Sequence, residues 1–413
     1  MSIQNKIETI YGLELVGIRL GLQRIRKVLS YLKNPHLQYP TIHVAGTNGK
    51  GSTAHFLSSI CIAHSQKVGL YTSPHLFRFN ERIQVQNELI SDQELECVID
   101  EVQEVVDMHK LDLTFFEFTT TVAFLYFAKQ KVDIAIIEIG LGGELDATNV
   151  IKPAFTVIPT IDMDHQEFLG NTLKEVTINE LSILQKNTLA IMGEQKQLCK
   201  HIFETECRKK GISFIFAQDK IQATSITETL EYQIVSFSGT FTQQCKLPAG
   251  SYQIHNAKMA IVCAQQLGVS QKNIVKGLES TTICGRMHCV HKNPIILIDG
   301  AHNELGMTEL LKTISLLPKP RTLIYARSIQ KEKKEMGFTL YDHFETIIAT
   351  QGDFKSFSAK DLANEIQERG FSCSYDIYPK SALQTALQKT PKSGSIVVTG
   401  SLYMIPLVLE EFL

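Results

Sequence analysis

The sequence contains no tryptophan, no C-x-x-C pair and no uninterrupted apolar run near the roughly 18 residues of a membrane-spanning helix. Its first residues, MSIQNKIETI, are charged and polar where a secretory signal carries an apolar stretch of about 7–15 residues. A soluble, cytoplasmic protein is therefore expected. The nine cysteines, at 61, 97, 199, 207, 245, 263, 284, 289 and 373, are odd in number and scattered, which argues against a disulfide framework or zinc knuckle and for reduced thiols. Charge of one sign is missing too. Lys plus Arg total 41 against 43 for Asp plus Glu, a formal charge of -2, so no basic field exists to hold nucleic acid or an anionic membrane. Any anion must be held locally.

What is present suffices for a globular enzyme. At roughly 150 residues per domain, 413 residues with 44% hydrophobic side chains give two to three domains with real cores. GLQRIRKVLSYL has helical apolar spacing and ends at Asn34-Pro35. The strand-like TIHVAG, a glycine loop, the helical STAHFLSSICIAHS and the run KVGLYTS read as a βαβ unit. Helical TTTVAFLYFAKQ leads into DIAIIEIG, and AFTVIPTI follows; apolar runs of this kind suit parallel strands buried on both faces. Residues 195 to 256 alternate in character, as in YQIVSFSGTFTQQCKL, and predict antiparallel strands or an excursion from the first domain. From about residue 285 the strand–helix alternation restarts with PIILIDGAHN, RTLIYA, ETIIAT and SIVVTGS. The expected division is a large α/β domain, 1–284, and a smaller one, 285–413.

Gly46, Thr47, Asn48, Gly49, Lys50, Gly51 and Ser52 stand between a predicted strand and a predicted helix. Glycines let the backbone wrap round oxygens, the helix start points N–H groups at negative charge, and Lys50 adds a cation. A glycine-rich turn alone is also a structural device; the lysine and the Ser52 hydroxyl turn this one toward phosphate and magnesium. The spacing G-x-x-G-K-G-S does not meet the general G-x-x-x-x-G-K-[ST] pattern.

HVAGTNGKGST, YTSPHL, RFNERI, FFEFTT, IEIGLGGELDATNV, DHQEFLGNTL, the GRM and DGAHN pair and VTGSLY, in this order, resemble the folylpolyglutamate synthase and dihydrofolate synthase family, a branch of the Mur ligase superfamily. The resemblance spans nearly the whole chain. It implies a P-loop-type parallel-sheet ATPase domain followed by a smaller Rossmann-like α/β domain. It also implies ATP-dependent formation of an acyl phosphate from a carboxylate, then attack by an amino acid's amine. ATP and magnesium are the implied cofactors, and a pteroate- or folate-like acid and L-glutamate or another amino acid the implied substrates. A monomer is expected, with no nucleic-acid or membrane partner.

By resemblance, Lys50 contacts the β- and γ-phosphates, and Ser52, Ser73, Glu138 and His165 hold metal ions. Oxygen ligands suit magnesium; a histidine is less usual but follows the family pattern. Taken singly, Glu138 reads better as a strand cap and His165 as a satisfied loop residue; their occurrence in matching motifs reverses that preference. Asn256 matches a residue near adenine, and Arg286, Asp299 and His302 match ATP-contacting positions. Ser401 and Tyr403 fall on the amino-acid side. Arg82, Phe116 and Thr119 fall where the pterin-bearing substrate lies, with core packing an equal reading for Phe116.

The pattern breaks at several places. The family carries an E-K-A-G-I motif whose lysine is carbamylated to help hold a second magnesium. Aligning backward from Gly193-Glu194-Gln195 places Glu180 there, on an arm shorter by roughly 3 Å. Either Glu180 supplies the same charge permanently and joins the catalytic and metal-holding set, or that metal site is degraded. The family's arginine in GLGGRLDATN is Glu144, its L-x-D-K-D stretch is ARSIQKEKKE, Tyr252 stands where histidine is common, and QGDFKSFSAK lacks a family arginine near residues 354 to 358. ATP handling is thus better preserved than substrate identity. A folate-type ligase leads; a paralogue for another carboxylate and amine, or an impaired nucleotide-binding homologue, are the alternatives.

Overall fold

The computed structural model describes residues 3–13, 19, 21–329, 338–353 and 356–412. The substitutions noted at residues 330–335 and the positions 354 and 355 lie outside them. The chain divides into two compact units. The first comprises residues 1–225, 235–246 and 253–281, and the second 226–234, 247–252 and 282–413.

The first unit is built on an eight-stranded sheet: β1 (Thr41–Val44), β2 (Val68–Tyr71), β3 (Ile83–Val85), β4 (Glu88–Leu89), β5 (Ile134–Glu138), β6 (Phe155–Ile158), β7 (Leu189–Met192) and β8 (Ser213–Phe216). Its order is β4-β3-β2-β5-β1-β6-β7-β8. Only β3 and β4 run antiparallel to their neighbours. All residues of β1, β2 and β5 are buried, as expected of β-branched runs with helices on both faces. β1 pairs with β5 on one side and β6 on the other, so the chain leaving β1 emerges at mid-sheet.

Helix starts are set by short polar motifs. Thr114 caps the helix Phe115–Gln130, accepting the Glu117 N–H while Glu117 reaches back to the Thr114 N–H, so T-x-x-E acts as a reciprocal cap. Thr172 and Glu175 do the same for the helix Leu173–Leu181. Phe118, Phe124 and Phe127 share one core cluster with Ile25, Val28 and Leu29 of the helix Gln23–Tyr31. Val176, Leu181, Cys199 and Phe203 belong to another.

Against the expectation of an excursion from residue 195, Gln197–Lys210 is a helix and β8 extends the parallel sheet. Phe203 and Cys207, at helical spacing, are both fully buried, which accounts for the difference. The separate strands begin only at residue 221: β9 (Ile221–Glu228), β10 (Tyr232–Gly239) and β11 (Gln244–Pro248) make a three-stranded sheet of their own with β10 in the middle.

The second unit holds a six-stranded sheet of β12 (His288–Lys292), β13 (Ile295–Ile298), β14 (Arg321–Tyr325), β15 (Thr346–Ala349), β16 (Cys373–Tyr375) and β17 (Ser395–Thr399), ordered β12-β13-β17-β14-β15-β16. All neighbours are parallel except β12 and β13. Leu297, Leu310, Leu323, Ile347 and Val397 sit in its core. This mixed α/β architecture, a large mainly parallel sheet and a smaller one, agrees with the expected fold class. All nine cysteines are free thiols, and among the described residues no helix is long and apolar enough to cross a membrane.

Candidate active site

The loop leaving β1 is anchored on the turn after β6. Thr47 N–H donates to the Thr160 carbonyl at 2.7 Å and Asn48 N–H to the same oxygen at 3.3 Å. The Thr47 hydroxyl donates to the Asp162 carbonyl at 2.9 Å and accepts the Asp162 N–H at 3.0 Å. Two positions require glycine. Gly46 has φ 108° and a Cβ there would lie 2.9 Å from the Thr160 oxygen; Gly49 has φ 85° and a Cβ there would lie 2.2 Å from Asn256 Oδ1. Side chains adopt such backbone rarely. Lys50 begins the helix Lys50–Ala63 and folds back, donating to the Gly46 carbonyl at 2.6 Å and the Thr47 carbonyl at 3.2 Å.

Two buried carboxylates meet this loop. Glu138, at the end of β5, is 4% exposed and accepts the Ser73 N–H at 3.1 Å. Its oxygens lie 3.5 and 3.7 Å from where a Cβ on Gly51 would stand. Glu180, in the last turn of the helix Leu173–Leu181, is 2% exposed and accepts the Gly46 N–H at 3.0 Å. Burial pushes its carboxyl up to about 6, opposed by the Lys50 charge and the Gly46 N–H and assisted by Asp146 and Asp164. Ser52 is buried in the first turn of its helix. His165 is exposed at the start of the turn Gln166–Leu169, with φ 45° and its N–H on Asp164 Oδ1.

Among the described residues no three His, Cys, Asp or Glu side chains gather into a metal cage. Magnesium carried on nucleotide phosphates needs only one or two protein oxygens besides water and phosphate. A buried carboxylate at Glu138 facing Gly51, with the buried Ser52 next in the chain, fits that requirement.

Around this loop lie residues the sequence reading passed over. Asp146 is buried and accepts the N–H groups of Gly140 and Leu141 with one oxygen, and the backbone N–H and the hydroxyl of Thr148 with the other. Burial raises its pKa against these bonds. Thr148 Oγ1 in turn accepts from His43 Nε2 at 2.8 Å. Since that hydroxyl donates to Asp146, His43 is protonated at Nε2. The residues stand in the motifs DATN and HVAG, which was the available signal.

The substrate candidates separate. Phe116 is half-buried, with ring carbons 2.5 to 2.9 Å from where a Cβ on Gly140 would stand. Arg82 is buried; its Nε donates to His75 Nδ1 at 2.8 Å and its guanidinium lies 5.2 Å over the Phe115 ring. His75 Nε2 meets the Tyr11 hydroxyl at 3.0 Å, and burial, then the Arg82 charge, lower the imidazole to about 3. Thr119 is fully buried and its hydroxyl donates to the Phe115 carbonyl at 2.7 Å. Asn256 is buried, its Nδ2 on Gln253 Oε1 and its Oδ1 facing Gly49. Glu144 is exposed, its N–H on the Ser182 hydroxyl.

In the second unit Asp299 is buried after β13. It accepts the Met287 and Ala301 N–H groups and the Tyr252 hydroxyl. Burial raises its pKa, with the Arg286 charge opposing. Arg286 Nη1 lies 2.8 Å from where a Cβ on Gly300 would stand, and His302 Nδ1 donates to the Gly300 carbonyl. Ser401 is buried and accepts the Tyr403 N–H at 3.3 Å, while Tyr403 is 38% exposed.

Residues 44–264 match the Mur ligase middle domain and residues 285–402 the Mur ligase glutamate ligase domain. The chain is 31% identical to the dihydrofolate synthase/folylpolyglutamate synthase of Bacillus subtilis, over 98% of this chain and 97% of that protein. It is 29% identical to the dihydrofolate synthetase of Saccharomyces cerevisiae, over 94% and 97%. Its fold superimposes on Mycobacterium tuberculosis folylpolyglutamate synthase complexed with ADP and AMPPCP with a TM-score of 0.90 at 25% identity, covering 98% of this chain and 99% of that one. The chain belongs to the Mur ligase family, in the branch of the dihydrofolate and folylpolyglutamate synthases.

Proposed function

We propose that this ATP-dependent carbon–nitrogen ligase joins L-glutamate to dihydropteroate, folate or both. The observation that carries the reading is the convergence of Lys50, Glu138 and Glu180 on one glycine loop, with relatives named for these reactions along the whole chain. The substrate carboxylate attacks the γ-phosphorus of ATP, ADP departs, and an acyl phosphate forms. The glutamate amine then attacks the acyl carbon, phosphate leaves and the amide remains.

Lys50 exchanges the carbonyls of Gly46 and Thr47 for phosphate oxygens, and the loop amides take the rest of the charge. Magnesium, when bound, neutralises phosphate charge; Ser52, Ser73, Glu138 and His165 are the residues assigned to it, with Glu180 supplying a built-in carboxylate. We assign ATP binding to residues 1–284, with Asn256 on the adenine side, and the amino-acid side to residues 285–413, with Ser401 and Tyr403. Arg286, Asp299 and His302 keep their assignment to ATP, and Arg82 and Phe116 theirs to the pterin acid. The reading takes the chain as a cytoplasmic monomer.

Initial-rate assays of ADP release with dihydropteroate, glutamate and ATP test this. Release that requires all three and stops on magnesium removal by chelation is expected; none above background overturns the folate assignment. The exposed, charge-reversed Glu144 favours a second reading, another carboxylate and amine on the same chemistry. Positional isotope exchange in ATP with candidate acids identifies that case and excludes a binding protein without catalysis.

A further inference from the structure

The helix Ile3–Gly12 is fastened to the helix Asp92–Met108 of the first unit. Lys6 Nζ lies 2.8 Å from Glu96 Oε1 and 2.6 Å from Asp100 Oδ1, and Ile7 and Ile10 join the core cluster of Phe118 and Phe124. Its last turn carries Tyr11. That ring stacks on Phe115, with centroids 5.6 Å apart and 16° between the planes, and meets Phe79 edge-on at 6.3 Å.

From Tyr11 a chain of hydrogen bonds leads to Arg82. Arg82 Nε donates to His75 Nδ1 at 2.8 Å, and His75 Nε2 meets the Tyr11 hydroxyl at 3.0 Å. A guanidinium only donates, so Nδ1 is the bare ring nitrogen, Nε2 carries the proton, and the Tyr11 oxygen accepts it. One edge of the guanidinium is thereby fixed by His75, and its plane is held 5.2 Å over the Phe115 ring on which Tyr11 stacks.

Arg82 is 6% exposed and forms no ion pair among the described residues. A buried cation without a counter-charge is costly. Its Nη atoms nevertheless keep solvent contact, so an anion can reach them and offset that cost. Strand pairing sets Arg82 beside the phosphate side of the site: Thr72 N–H donates to the Arg82 carbonyl at 3.0 Å, and the next residue, Ser73, gives its N–H to Glu138.

We propose that His75 and Tyr11 are positioning residues for the acid substrate, holding the Arg82 guanidinium so that its Nη edge takes the carboxylate that ATP activates. The inference rests on the ligase reading above and names the two groups through which Arg82 acts. Neither touches the acid. An arginine already held at Nε and against a ring loses little side-chain freedom when a carboxylate arrives side-on, and that preorganisation strengthens binding.

The test compares initial rates of the full-length wild type with His75→Leu, His75→Asn and Tyr11→Phe. His75→Leu should raise the KM for the pterin acid by on the order of tenfold to a hundredfold and leave the ATP KM unchanged. His75→Asn, whose Oδ1 replaces Nδ1 as acceptor for Arg82, should recover most of the loss. Tyr11→Phe keeps the ring stack and removes only the hydroxyl, so a rise on the order of threefold to tenfold is expected. If His75→Asn is no better than His75→Leu, or the ATP KM rises in step with that of the acid, the histidine serves general packing and the proposal fails. An unchanged acid KM in either His75→Leu or Tyr11→Phe also overturns it. Should the wild type turn over no pterin acid, the ligase reading has failed separately. Calorimetric titration of 4-aminobenzoate, an aromatic carboxylate, into wild type, His75→Leu and His75→Asn then decides: binding weakened by leucine and restored by asparagine supports the chain, and the same result with all three proteins refutes it.

Discussion

The carboxylate of Glu180 accepts the backbone N–H of Gly46 at 3.0 Å, tying the last turn of the helix Leu173–Leu181 to the first glycine of the loop that leaves β1. A glutamate on a shorter arm than a carbamylated lysine thus reaches the loop itself. With its carboxyl pushed up only to about 6, it remains anionic at neutral pH.

Replacing Glu180 separates charge from structure. Glu180→Gln keeps an acceptor for Gly46 and should leave thermal stability near wild type while lowering kcat by about a hundredfold. Glu180→Ala also strands the Gly46 N–H and should cost about 1–3 kcal/mol in denaturant unfolding. Equal turnover in all three proteins would make the residue a bystander.

Gly49→Ala puts a methyl 2.2 Å from Asn256 Oδ1 on backbone with φ 85°. A stability loss on the order of 1–3 kcal/mol is expected, with weaker ATP binding by calorimetry. Adding Asn256→Ala removes the collision but not the backbone strain, so it should restore part of the stability; complete restoration would show that the dihedral is irrelevant.

Gly140→Ala tests whether Phe116 shapes the pterin acid's place. The added methyl would sit 2.5 Å from the ring and must displace it. An increase of on the order of tenfold in KM for the acid, with ATP KM unchanged, is expected; equal changes in both would assign Phe116 to general packing.

The buried His43 gives a pH signature. Burial lowers its pKa to about 3 from about 6.5 in the unfolded chain. The unfolded state therefore binds the extra proton between these values, and the contribution of neutral His43 to stability is full above about pH 6.5 and falls as pH drops toward 3. His43→Gln removes this acid liability, so it should destabilise more at pH 7.5 than at pH 5, measured by urea midpoints. The reverse order would contradict a neutral buried imidazole.

Much of the site was legible from residue types at fixed spacing. Gly46 to Ser52 stand out because glycine, lysine and hydroxyl fall within a few consecutive residues, the pattern that suits a phosphate-holding turn. Glu138 and Asp299 end apolar strand runs, so their place at a sheet edge follows from strand periodicity. The burial of Thr119 was not legible, because FFEFTT marks a helix start without saying which face is buried. Asp146, Thr148 and His43 escaped because their partnership spans about a hundred residues and depends on β1 lying beside the turn that follows β5.

By itself the sequence determined the fold class and the place of a glycine loop between a strand and a helix, because each is written in local pattern. Only the tertiary structure decided which distant side chains meet. It brought Glu180 onto Gly46 from a helix 134 residues further along the chain, closed Thr119 into the core, and laid Arg82 over Phe115. Strand order carries no local signature, and which side chains meet at a sheet's carboxyl edge is fixed by that order.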